Sequence, residues 1–162
     1  MVNEKFLFEN LSYDETTGLF IWLKDQKRGQ IKAGTQAGSL ALNGYIEIGF
    51  QGQRIYAHEL AWFFKYGEWV KNLDHKNRNR TDNSINNLRK ATYSENCCNS
   101  SLRTDNTSGI KGVSFDKRRN TWNAEVRKDG LRVRKSGFSS KEEAADWVIS
   151  CRQKLHGEFF SV

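Results

Sequence analysis

The 162-residue chain has no proline, three cysteines, one methionine and three histidines, and its 19 acidic residues are outnumbered by 26 basic ones. The absence of proline excludes a Pro-rich spacer, and neither an internal repeat nor a low-complexity tract is apparent. An odd number of cysteines, with Cys97 and Cys98 adjacent, makes no disulfide framework and lacks the Cys-x-x-Cys pairs of a structural zinc site. A reducing compartment is therefore expected. No apolar run approaches the roughly 20 residues of a membrane span. The start, Met1-Val2-Asn3-Glu4-Lys5, lacks the basic and apolar regions of a secretory signal. The expectation is a soluble, cytoplasmic protein with no membrane partner. The shortage of acid leaves a formal charge of +7 and a pI of about 9.4, which favours a polyanion, above all nucleic acid. Five Trp and ten Phe supply enough apolar mass for one ordinary domain or two small ones, which excludes a disordered basic tail.

Residues 19 to 23 (Leu-Phe-Ile-Trp-Leu) read as a buried strand. The segment from Gly44 to Ala57 reads as a hairpin with Gly49 and Gly52 near its turn, Ile46, Ile48 and Phe50 marking its apolar face. From His58 to Tyr66 the period becomes helical, with Leu60, Ala61, Phe64 and Phe63 as inward residues. Asp74-His75 then opens a polar loop reaching Asn83, and a second short helix can start near Ser94 and carry Asn96 and Asn99 on one face.

This cluster, Asp74-His75 followed by Asn83, Asn87-Leu88-Arg89, Asn96 and Asn99, holds the parts of a metal-assisted phosphodiesterase. Asp and Asn oxygens suit a hard divalent cation such as Mg²⁺, and a neutral imidazole beside them can take a proton from water near pH 7. An isolated Asp-His pair carries little weight. Taken with Tyr56-Ala57-His58-Glu59-Leu60-Ala61-Trp62, Asp82-Asn83 and Ala91-Thr92, the stretch from about residue 6 to 100 resembles the HNH endonucleases, specifically the homing-endonuclease branch of phage genomes and introns. The resemblance implies a ββα-metal site in which His75 ends the first strand and acts as general base. Asp74 and Asn96 would be the metal ligands, for one divalent ion, Mg²⁺ or alternatively Mn²⁺. Asn87 would be the middle Asn of the motif, holding His75 across the hairpin loop. Asn83 and Asn99 fit a structural role as readily as a functional one. His58 reads as a packed, hydrogen-bonded histidine, and His156 as a helix-end cation without chemistry. Two departures stand out: Glu59 follows the His where a basic residue is common, and Arg78 occupies a turn position where Gly is frequent.

From Asn99 to Ser108 the chain is almost wholly polar and marks a domain boundary. Beyond it, Val113 and Phe115, then Trp122, Ala124 and Val126, then Leu131 and Val133 form three period-two sets separated by Lys117 to Asn120 and by Asp129-Gly130, which reads as a three-stranded meander. Ser140 with Glu143 makes a capping box for a helix whose stripe is Ala144, Trp147 or Val148, Cys151 and Leu155, with Gly157 as the stop. If Trp122, Ala124 and Val126 face that helix, Ser114, Asp116, Asn123, Glu125, Arg127, Arg132 and Arg134 share the opposite face. Residues 107 to 136 hold nine basic against three acidic side chains, nearly the whole surplus of the chain, and this tilts the face towards DNA rather than mere solvation. Lys111, Arg118, Arg127, Arg132 and Arg134 are the expected contacts. The segment Ser108-Gly109-Ile110-Lys111-Gly112-Val113-Ser114-Phe115, the Trp122 to Arg127 strand, Gly137-Phe138 and Glu143-Ala144-Ala145 leading to Leu155-His156-Gly157 resemble the APETALA2/ethylene-response-factor DNA-binding domain over residues 107 to 160. That resemblance implies a sheet lying in the major groove. Ser114, Asp116 and Arg134 depart from the plant pattern, so the plant target sequence is not implied.

The expected architecture is α+β: an N-terminal ββα-metal HNH nuclease domain over residues 1 to 104, and a small three-stranded antiparallel sheet with one covering helix over 105 to 162. The expected activity is site-specific cleavage of double-stranded DNA by a monomeric, homing-type phage nuclease. The alternative is a DNA-binding regulator with a degenerate nuclease site. An RNA-directed nuclease is disfavoured, because a sheet-borne arginine face suits the open major groove of B-DNA better than the narrow one of A-form RNA.

Overall fold

The computed structural model describes residues 3–26, 30–100, 102 and 104–159. Met1 and Val2 of the expected cytosolic start, and Ser101 and Arg103 of the expected linker, lie outside the described residues. Among those described, four α-helices accompany several small antiparallel sheets. The chain divides into two compact units, Met1–Lys90 and Ala91–Val162.

In the first unit, helix α1 (Glu4–Asn10) is capped by Asn3, whose side chain accepts from Phe6 N at 3.2 Å. Strands β1 (Leu11–Tyr13), β2 (Phe20–Trp22) and β3 (Gln36–Ala37) form one sheet, and β4 (Ser39–Leu40), β5 (Ile46–Phe50) and β6 (Gln53–Tyr56) a second. The β5–β6 hairpin turns on Gln51 and Gly52, both at positive φ, as a two-residue turn matched to strand twist requires. Helix α2 (Ala57–Tyr66) follows directly and ends on Gly67 in the left-handed conformation. Strands β7 (Leu73–His75) and β8 (Leu88–Lys90) pair antiparallel, with Asp74 opposite Arg89 and His75 opposite Leu88. The core joins Leu7, Leu11, Phe20, Trp22, Ile48, Phe50, Leu60, Phe63, Leu73 and Leu88. Each such side chain stabilises the fold by about 1.5–3 kcal/mol on burial, and the core therefore anchors α2 and the β7–β8 hairpin together.

In the second unit, helix α3 (Tyr93–Asn99) opens with a Thr92–Glu95 capping box, one residue earlier than the sequence suggests. Strands β9 (Val113–Asp116), β10 (Thr121–Lys128) and β11 (Leu131–Phe138) form a meander in the order β11-β10-β9, turning at Asp129-Gly130, and α4 (Lys141–His156) covers one face. Arg127 pairs with Arg132 and Glu125 with Arg134 across β10 and β11, so the expected polar face forms, set by strand alternation.

Four expectations are revised here. The break falls after Lys90 rather than at 104, because α3 is tied to the second unit: Asp129 N donates to Ser94 Oγ at 2.9 Å, and Lys111 Nζ donates to the Cys97, Cys98 and Ser100 carbonyls at 3.1, 3.0 and 2.8 Å. Lys111 is thereby occupied as a cation at the C-terminal end of α3 and is not offered to DNA. The buried stripe of α4 is Ala144, Val148, Arg152 and His156, while Trp147, Cys151 and Leu155 pack at its margin. Arg152 is admitted because its Nη2 donates to Lys111 O at 2.7 Å. His156 is buried rather than a helix-end cation. Burial pushes its pKa down, and Arg152, Lys111 and Lys128 around it act in the same direction.

Candidate active site

The β7–β8 hairpin is a local consequence of its asparagines. Lys76 N donates to Asn87 O at 2.8 Å and Arg78 N to His75 O at 2.9 Å. Within the loop, Asn77 Oδ1 accepts from Asn79 N at 2.8 Å and Asn79 Oδ1 from Thr81 N at 3.1 Å. Asp82 Oδ1 accepts from the Ser84 hydroxyl at 2.7 Å. These are the short-range bonds by which Asn and Asp replace regular structure. Arg78 takes φ +64 at the position where Gly is frequent, so the turn persists with a side chain held in the left-handed region.

His75 ends β7 and is buried, 4% exposed. Its Nε2 lies 3.2 Å from Asn83 Oδ1, and the amide is oriented by Asn83 Nδ2 donating to Thr81 O at 3.2 Å. Facing that acceptor, Nε2–H is the donor of this bond. Burial lowers the His75 pKa, offset in part by the Asn83 bond and by the negative charges of Asp74 and Asp82. The ring is therefore neutral at neutral pH.

Asn87, expected to hydrogen-bond across the hairpin loop, bonds the loop at two points: its Oδ1 accepts from Asn77 N at 3.0 Å and its Nδ2 donates to Asp82 O at 2.8 Å. Asn83 reaches the imidazole itself. Its main chain is fixed from a distance, since Tyr13 Oη donates to Asn83 O at 2.8 Å and Gly18 packs directly on the Asn83–Ser84 peptide, where a Cβ would lie 2.3 Å from Asn83 C.

His58, in the first turn of α2, stands with its ring centroid 5.2 Å from that of His75 and edge-on to it, with Tyr56 and Tyr45 against its other sides. It is packed as expected, but its Nδ1 is buried without a hydrogen bond. Burial, helped by the neighbouring His75, pushes its pKa down to about 3. A fixed neutral ring thus walls the reactive one.

Asp74 is 4% exposed, and its Oδ2 accepts from Arg89 Nε and Nη2 at 2.8 and 2.7 Å. This buried fork compensates a carboxylate that would otherwise be costly at that depth. Arg89 carries no role in the sequence reading, although counting back along the hairpin from the His75–Leu88 pair places it opposite Asp74. Asn96 stands half-buried on α3 of the second unit. Among the described residues no cluster of three or more His, Cys, Asp or Glu is present. Mg²⁺ takes one or two protein oxygens and completes its shell with phosphate and water. Asp74 and Asn96 offer hard oxygens of that kind.

On the sheet of the second unit, Glu125 binds both Arg127 Nε and Arg132 Nη2 through its two carboxylate oxygens. These arginines, Arg132 foremost, hold its carboxyl below the ordinary range. Arg134 and Arg118 are exposed.

The family model for HNH endonuclease matches residues 55–97, from the end of β6 through α3. The match is narrower than the expected resemblance and does not begin at the N-terminus. Protein 3.8 of Escherichia phage T7 is 35% identical over 89 residues, which cover 54% of this chain and 71% of that protein. No solved structure matches. Among the described residues no helix is long and apolar enough to cross a membrane. With a buried Asp-His strand end, an asparagine-laced hairpin and a following helix inside the matched segment, residues 55–97 form a domain of the HNH endonuclease kind, and the chain as a whole belongs to the family of phage T7 Protein 3.8.

Proposed function

We propose that this protein is a site-specific DNA endonuclease of the phage homing type, hydrolysing a phosphodiester bond with one divalent metal ion, Mg²⁺ or Mn²⁺. The observation that carries the reading is the buried, neutral His75, oriented by Asn83 beside the Asp74 carboxylate. In this mechanism His75 Nδ1 takes the proton of the attacking water, while Nε2–H keeps its bond to Asn83 and the Asp74 and Asp82 charges favour the resulting imidazolium. Asn83 and the wall of His58 hold the ring's direction. Asp74 and Asn96 would hold the cation, which when bound supplies charge neutralisation at the scissile phosphate and departing oxygen. The deciding experiment is gel analysis of supercoiled plasmid with Mg²⁺ or Mn²⁺ and with chelator. Metal-dependent nicked or linear product is expected. Retention of DNA without cleavage would replace the enzyme by a degenerate DNA-binding regulator.

Residues 107 to 160, read as an APETALA2-like module, would supply affinity for duplex DNA through Arg127, Arg132, Arg134 and Arg118. Support comes from the arginines sharing one sheet face, with Glu125 orienting two of them. Replacing Arg127, Arg132 and Arg134 together should weaken binding and lower the slope of log affinity against log salt by about 0.9 for each lost phosphate contact. Filter binding across a salt series measures it. An unchanged slope and site preference would reduce the face to a solvated surface.

A further inference from the structure

The cations of the first unit mostly sit on carboxylates: Arg89 on Asp74, Lys65 on Glu15, Lys90 on Glu68 and Arg54 on Glu47. Arg80 differs. It is exposed on the β7–β8 loop, yet it is fixed by neutral groups: Nη1 donates to Asn43 O at 2.7 Å, and its Cζ lies 4.9 Å from the centre of the Tyr45 ring. Gly44, at φ +82, lies beside the Arg80 side chain, where a Cβ would be in ordinary contact with Cδ at 3.7 Å. Among the described residues no carboxylate pairs with Arg80. Asp82, two residues on, is engaged by Ser84 and Asn77 instead. An exposed arginine held in this way has already lost much of its side-chain freedom without its charge being matched.

The position of that charge is informative. The Tyr45 ring on which the guanidinium rests is itself 5.8 Å, centre to centre, from His75 and 5.0 Å from His58. Four of the five guanidinium N–H groups remain for a ligand after the bond to Asn43 O. A rigid, unmatched fork beside the base suits a phosphodiester, whose non-bridging oxygens it can grip at two points.

We propose that Arg80 is a further catalytic residue, which grips a non-bridging oxygen of the phosphodiester being cut and stabilises its charge as water attacks. The inference rests on the nuclease reading above. The loop braced by Asn77, Asn79 and Asp82, the Asn43 carbonyl and the Tyr45 ring serve to preset the guanidinium, so that little reorganisation is needed at the moment of reaction.

Arg80→Gln and Arg80→Lys test this in the full chain. One arm measures single-turnover cleavage of saturating plasmid DNA with Mn²⁺. The other measures the salt dependence of binding to a short duplex in chelator. Arg80→Gln should slow cleavage by on the order of 10² or more and lower the salt slope by about 0.9. Arg80→Lys should restore the slope but not the rate, because charge returns without the fork. Circular dichroism of both variants should match the wild type. Cleavage by Arg80→Gln within a few-fold of wild type overturns the proposal, and so does slowed cleavage with an unchanged slope, which would make Arg80 a prop for Tyr45. If the wild type binds DNA but never cuts it, the nuclease reading fails by itself. A slope still lowered by Arg80→Gln would then keep the phosphate contact, and an unchanged one would remove it.

Discussion

His75→Ala should cut DNA on the order of 10² to 10⁴ times more slowly than the wild type, the usual contribution of a general base, while binding DNA almost as well. The imidazole is buried behind the hairpin, bonded to Asn83 and walled by His58, and therefore adds little to affinity. Its contribution lies in proton transfer. The same geometry sets a pH signature. A base works only when deprotonated, and burial holds the His75 pKa below the ordinary histidine value. The wild-type rate should thus be level through neutrality and decline in acid, below about pH 6.5, and His75→Ala should lack that acid limb. Single-turnover rates across a pH series, with binding measured in parallel, check both parts. Near-normal cleavage by His75→Ala at neutral pH would remove His75 from the mechanism.

Gly18→Ala should be the most damaging single methyl in the first unit. Gly18 holds φ +74, which costs an L-residue roughly 1–2 kcal/mol. The added Cβ would also lie 2.3 Å from both Asn83 C and Ser84 N, so the chain that aims Asn83 at His75 must shift. Overpacking against main chain adds about 1–3 kcal/mol. The total, about 2–5 kcal/mol, corresponds to a fall in urea midpoint of about 1 M or more at the slope usual for small domains. Gly34→Ala is the control. Gly34 has a similar φ of +82, but a Cβ there meets nothing within 4 Å, so only the backbone cost applies. Denaturation followed by Trp fluorescence compares the two. If Gly18→Ala proves no worse than Gly34→Ala, the close approach to Asn83 has no energetic weight. The surviving folded fraction of Gly18→Ala should cleave more slowly than wild type, since Tyr13 alone would then hold the Asn83 main chain.

What the sequence determined by itself was everything with a short period or a local signal. Alternation over Trp122 to Arg127 and Leu131 to Arg134 placed the arginines on one sheet face, and Asp129-Gly130 marked the turn between the strands. The hairpin ending at Ala57, the helix after it, and the Asp74-His75 strand end followed by an asparagine loop were legible for the same reason, since Gly, Asn and period-two patterns act within a few residues. Tertiary structure alone decided which of two asparagines reaches His75. Asn83 and Asn87 look alike in sequence, and the choice is made by Tyr13 and Gly18, about 70 and 65 positions upstream, pressing on one of them. The same holds for the long cations. Lys111, expected to contact DNA, and Arg152 and Arg89, which carry no role in the sequence reading, are each turned inward by carbonyls or a carboxylate that chain closure brings within reach. A flexible charged side chain has no periodic signature of burial. Its fate depends on whether a distant acceptor compensates its desolvation, and that is settled only when the chain has folded.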